Sequence, residues 1–170
     1  GVRASDVGLI PYDKQSKTYN SQQLGLAINE YEKIIIDSQY YLADVNVQLT
    51  SEEIVLLGGN DAELLFDNTT TTTLFNPNNF KRLIIQGVTF TNLSVKNPVL
   101  IVYNSIKSTD LIDSVIIDQC TFNGWISAYR QNGNTSLNPK DNSFGITSFV
   151  FSNNIVNNTK ATFISLVDLP

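Results

Sequence analysis

The residues able to do chemistry are few. In 170 residues there is no His and one Cys, Cys120. That removes the commonest general base and metal ligand, Cys-rich zinc sites and intrachain disulfides. Asp110, Asp113 and Asp118 are close in sequence. Glycoside hydrolysis needs two carboxyls about 5–9 Å apart; Asp is equally a turn residue. Trp125 and Tyr129 precede the polar segment 131–145. An aromatic face beside polar groups makes a platform for a sugar ring, and the same ring can instead cover a corner of a core. Arg130 can pair with a carboxylate ligand or with a surface acid. Gly58-Gly59-Asn60 lacks the Lys and the helix of a phosphate loop. Asn68, Asn92, Asn134 and Asn157 open glycosylation sequons, which a chain so rich in Asn, Ser and Thr also generates by chance.

Composition limits what can position these groups. Hydrophobic residues make up 42% and charged residues 16%, which excludes a disordered chain and a coiled coil. The net charge is −5 and the basic residues are scattered, so no nucleic-acid partner is expected. No apolar run approaches the ~20 residues of a membrane-spanning helix. One domain over residues 1–170 is expected. The chain contains no Met and ends directly after a strand-like run, so a piece of a longer protein is expected.

One segment, 21–31, reads as a helix, with Ser21 as N-cap and Leu24, Ala27, Ile28 and Tyr31 on one face. Almost everything after it reads as short strands rich in Val, Ile, Phe and Tyr, separated by Asn, Asp, Gly, Ser and Thr. The strands repeat. Leu83-Ile84-Ile85-Gln86-Gly87-Val88-Thr89-Phe90 aligns with Val115-Ile116-Ile117-Asp118-Gln119-Cys120-Thr121-Phe122, and again with the run from Phe149 to Val156. Looser copies start at Ile34 and Val55. In each copy the apolar positions alternate and then skip a step, as at Leu83, Ile85, Val88 and Phe90. Two short strands joined by a one-residue bend make the corner of a solenoid coil, and stacked coils bury equivalent positions against one another. Cys120 falls on a core position. Asn154 falls at the bend, where an amide can hydrogen-bond the backbone of a neighbouring coil.

A second ladder aligns Tyr103 with Tyr129, and Asn104 with Arg130 and Asp168. Coils stacked ~4.8 Å apart would make Asn104, Arg130 and Asp168 a polar column, either a saccharide contact or a solvated pair of Arg130 with Asp168. Tyr103 and Tyr129 would stack as a tyrosine pair. Segments 67–79, 104–112 and 131–145 break the repeat. Such insertions line a groove on one face or are surface excursions.

Three strands per coil make a parallel β-helix. The pattern resembles the right-handed parallel β-helix of the pectate lyase-like superfamily. There the segment 21–31 matches the helix that caps the first coil, and Lys33-Ile34-Ile35-Ile36-Asp37 the first strand. Ile54-Val55-Leu56-Leu57-Gly58-Gly59 matches a Leu-x-Gly strand, whereas Ser38-Gln39-Tyr40-Tyr41-Leu42 lacks the Pro and Gly of the corresponding segment. The resemblance implies an all-β chain with its cap helix at about 21–31 and coils over about 33–168. It implies a secreted or cell-surface, bacterial protein that recognises or processes a polysaccharide or glycan. The alternative is a structural or receptor-binding solenoid such as a bacteriophage tailspike segment, a monomer in the first case and a homotrimer in the second. The superfamily's catalytic motifs do not carry over. There is no Gly-His-Gly, and no run of aligned acids makes a Ca²⁺ cage. No cofactor is expected and the chain leans away from catalysis. The ligand candidates are Trp125, Tyr129, Arg130, Asp168 and Asn104.

Overall fold

A computed structural model describes residues 1–71, 73–77, 80–93, 98–104, 111–132, 145–158 and 164–167. After β1 (Val2–Arg3) and two short 3₁₀ turns comes the helix α1 (Lys17–Glu30). Three strands then recur in order. The first of each coil are β2 (Ile34–Ile36), β5 (Glu53–Gly58), β8 (Arg82–Gln86), β11 (Leu111–Asp118) and β14 (Gly145–Ser152). The second are β3 (Gln39–Leu42), β6 (Glu63–Phe66), β9 (Thr89–Asn92), β12 (Thr121–Asn123) and β15 (Ile155–Asn157). The third are β4 (Val45–Leu49), β7 (Thr73–Pro77), β10 (Val99–Asn104), β13 (Ser127–Asn132) and β16 (Ile164–Val167). Like strands of successive coils pair in parallel and form three sheets, with β1 extending the first. The chain is an all-β, right-handed parallel β-helix of five coils among the described residues.

The corner between first and second strands explains the skipped step in the repeat. Gly87, Gln119 and Asn153 all turn there with φ of +72°, +54° and +54°. Each is a single left-handed residue, which swings the next side chain back inward. Asn154 follows the corner of the last coil. Its amide donates to the Ile117 carbonyl at 2.9 Å and its Oδ1 accepts from the Cys120 N–H at 2.8 Å. Inside, Val115 and Ile117 are fully buried, as are Phe90 and Phe122, whose rings stack 5.5 Å apart. Cys120 is buried too, and burial pushes its thiol pKa up.

The first-sheet register of β8, β11 and β14 pairs Leu83 with Val115 and Val115 with Phe149, as the repeat predicts. The looser copies differ: Ile34 lies opposite Leu56 and so in the column of Ile85, two residues on, and the copy at Val55 is displaced by one residue. Ile54, not Val55, lies opposite Leu83, because Ile54 and Leu56 supply the core and Val55 points outward. The helix also differs. It begins at Lys17, four residues before Ser21, and ends one residue before Tyr31. The chain is turned into it by Asp13, whose carboxylate accepts from the Gln15 N–H and the Ser16 hydroxyl. Ser21 lies inside the helix and donates to the Ala43 carbonyl at 3.0 Å. Leu24, Ala27 and Ile28 are buried, as expected.

Candidate functional site

The third sheet holds three of the expected site residues, Asn104, Tyr129 and Arg130, and a site the repeat does not announce. The expected polar column does not form. Arg130 lies opposite Val102 and Ser165, and Asn104 opposite Asn132. Arg130 and Asn104 are thus out of register by two residues, about 6.6 Å along a strand. Tyr129 sets this register by taking the core position opposite Ile101 and Ile164. Gln131 then falls opposite Tyr103. Its amide oxygen, Oε1, accepts from the Tyr129 hydroxyl at 2.7 Å, with both residues fully buried. The tyrosine pair is therefore replaced by a tyrosine–glutamine layer. Tyr103 packs on Phe80 and Tyr129 on Phe149. Asp168 lies outside the described residues.

The aromatic platform is corrected in the same way. Trp125 is 1% exposed and stacks on Phe66 at 5.4 Å, and Tyr129 is 0% exposed. Neither ring presents a face to a ligand. Both rings close the core, and burial, with a smaller effect from Tyr103, pushes the Tyr129 pKa up. Asp118 is held by Ser152 Oγ at 2.9 Å, Asn153 Nδ2 at 3.0 Å and Gln86 Nε2 at 3.5 Å, so it accepts from the equivalent corners of the two neighbouring coils. Asp110 lies outside the described residues.

A polar cleft of about 560 Å³ opens on the third sheet in the first two coils. It begins with a mismatch between strands. Val45 pairs with Phe75 and Leu49 with Pro77, so β4 spends four residues where β7 spends two. The two extra residues bow β4 outward, as a bulge does, and leave Asn46 and Gln48 exposed. Facing them are Thr70, Thr71, Thr73 and Asn76, with Asp44 at the strand entrance.

Two asparagines hold the cleft's frame. Asn68 is 8% exposed; its Nδ2 donates to Asp44 Oδ1 at 2.8 Å and to Thr71 Oγ1 at 2.7 Å. Its Oδ1 accepts from the Thr70 and Thr71 N–H groups. Asn68 is thus a structural residue fixing the turn after β6, although it opens a sequon. At the far end, Asn29 of α1 donates to the Gln48 carbonyl at 2.8 Å and accepts from the Thr50 N–H at 2.9 Å. The helix comes close because residue 25 is Gly: a Cβ there would lie 2.7 Å from Val47 Cβ. The bowed strand is therefore braced behind and open in front.

The cleft offers amide groups that both donate and accept, hydroxyls, and one carboxylate. Such a set matches a hydroxyl-rich ligand. Among the described residues no three His, Cys, Asp or Glu side chains lie together as a metal site, and no helix is long and apolar enough to cross a membrane. Sequence reasoning placed an irregular segment at 67–79 but missed β7 inside it. The signal available was the apolar pair Leu74-Phe75, too short to stand out among the surrounding Thr and Asn. Comparison with models of protein families, with curated proteins and with solved structures finds no match.

Proposed function

We propose that this chain is a carbohydrate-recognition domain of a secreted or cell-surface protein, related to the pectate lyase-like superfamily and non-catalytic as it stands. The observation that carries the reading is the braced polar cleft between β4 and β7. It supplies amides, hydroxyls and one carboxylate on a rigid scaffold, which is how proteins bind sugar hydroxyls with little ordering cost. Among the described lining residues Asp44 is the one carboxylate, and the acid–base pair of a glycosidase needs two. The test is a glycan array of plant, mucin and bacterial capsular polysaccharides, with and without Ca²⁺. A selective signal lost in the Asn46→Ala/Gln48→Ala double variant is expected. A blank from well-folded protein would overturn the reading.

A second reading, a structural solenoid, is favoured by one observation. The outer face of the first sheet carries an aliphatic column of Val55, Ile84, Ile116 and Val150 on successive coils. The column is one residue wide on three of these strands, flanked by Arg82 and Gln86 on β8, Ser114 and Asp118 on β11, and Ser148 and Ser152 on β14. Self-association through this column is expected if the chain is a stalk. Light scattering of the wild type and of Ile116→Lys separates the readings, since only an assembled solenoid changes mass.

A further inference from the structure

We infer that the cleft between β4 and β7 selects an uncharged oligosaccharide and disfavours uronate and sulfated glycans; this rests on the carbohydrate reading above. The argument is the charge inventory of the lining. Among the described residues Asp44 is the one formally charged residue there, and no described Lys or Arg lines the cleft. Asp44 is fixed in place by the Asn68 amide, a neutral donor that leaves its charge uncancelled. Lys17 and Lys14 serve another acid: they reach Asp67 at 3.4 and 3.7 Å. Arg130, the cation expected to meet a uronate, stands on β13, two coils beyond β7.

A ligand carboxylate in this cleft would face Asp44 with no cation among the described lining residues to share, and like charges this close repel. A sugar hydroxyl meets the opposite situation. It donates to Asp44 in a charge-assisted bond and accepts from Asn46, Gln48 or Asn76. The amides match hydroxyls because each side both gives and takes a hydrogen bond. The whole chain, at −5, adds a long-range field of the same sign.

The test titrates the whole chain with neutral gluco-, manno-, xylo- and galacto-oligosaccharides, with oligogalacturonate, and with fully methyl-esterified oligogalacturonate. The last two share one backbone and differ at C6, where a methyl ester replaces the charged carboxylate. Binding of at least one neutral probe is expected, stronger than oligogalacturonate by about tenfold or more. It should be insensitive to salt and be lost in Asn46→Ala/Gln48→Ala, whose exposed positions leave the melting temperature unchanged. Asn76→Lys places a cation in the cleft and is expected to raise oligogalacturonate affinity. Tighter wild-type binding of oligogalacturonate than of its ester, weakening with salt, would overturn the charge selection while leaving carbohydrate recognition standing. Oligogalacturonate affinity unmoved by Asn76→Lys would place binding elsewhere and overturn the assignment to this cleft. No binding to any probe by folded protein would overturn the carbohydrate reading, and this inference with it.

Discussion

Phe122 shows how much one side chain holds in a stacked coil. It is fully buried between Phe90, at 5.5 Å, and Phe151, at 6.1 Å, so it belongs to three coils at once. Phe122→Ala is expected to cost ~3–5 kcal/mol in chemical denaturation. A loss under ~1 kcal/mol would contradict its inward placement. Asp37 works by charge. It accepts from the Ser5 N–H at 3.2 Å, from the Ser5 hydroxyl and from the Tyr40 hydroxyl at 2.7 Å, tying the leading turn to the first coil. Partial burial pushes its carboxyl up, but the hydrogen bonds from Ser5 and Tyr40 together outweigh that. The result is a pKa below the ordinary 3.8. A carboxyl depressed in the folded state adds stability above its unfolded value and loses it as pH falls through the folded one. The melting temperature of the wild type should therefore exceed that of Asp37→Asn near neutrality. The gap should close as pH falls below the ordinary value of 3.8. A gap that stays constant into acid would show that the Asp37 charge contributes nothing.

The coil corners carry the argument at the scale of elements. Gly58, the last residue of β5, stacks under the corner at Gly87: a Cβ on Gly58 would lie 1.8 Å from the Gly87 carbonyl oxygen. Backbone, not a side chain, occupies that space, so Gly58→Ala must separate two coils. It is expected to destabilise toward the upper end of the ~1–3 kcal/mol seen for overpacking, or beyond. A neutral effect in thermal melts would mean the corners stack more loosely. These corners were legible in the sequence because each sets a fixed interval between inward residues, and the register of β8, β11 and β14 followed from it. The third sheet was less legible. Aligning Tyr103 with Tyr129 matched residue types, whereas the fold matches positions in the core, and Gln131 fills the place opposite Tyr103. A shift of two residues preserves inward–outward alternation, so hydrophobic patterning alone cannot reject it. The cleft was illegible for a related reason. It arises where β4 and β7 fall out of step, and a mismatch between two strands leaves no repeating mark in either.

The whole molecule is a stack in which each coil is stabilised by its neighbours, and its two ends are unequal. At one end α1 covers the first coil, with Leu24, Ala27 and Ile28 buried against it. At the other, β14, β15 and β16 are the last strands of their sheets among the described residues. Residues there that continue the core columns are less covered. Phe151 and Phe149 are only partly buried, whereas Ile117 and Val115, one coil earlier in the same columns, are 0% exposed. Ile155, on the outer side of the same coil, is 58% exposed. Local opening follows buried contact, so it should start at this end and spread coil by coil. Hydrogen exchange measured along the chain should therefore be graded. Amides of β14 and β15 should exchange first, those of β11 and β12 next, and those of β2, β5 and β8 last. The Asn154 amide bridge moderates the gradient, because it fastens the last corner to the Ile117 and Cys120 backbone. Asn154→Ala should speed exchange in β15 and leave β5 unchanged. Uniform exchange across all coils would show instead that the solenoid opens as one cooperative unit, with the capped coil and the last described coil equally well held.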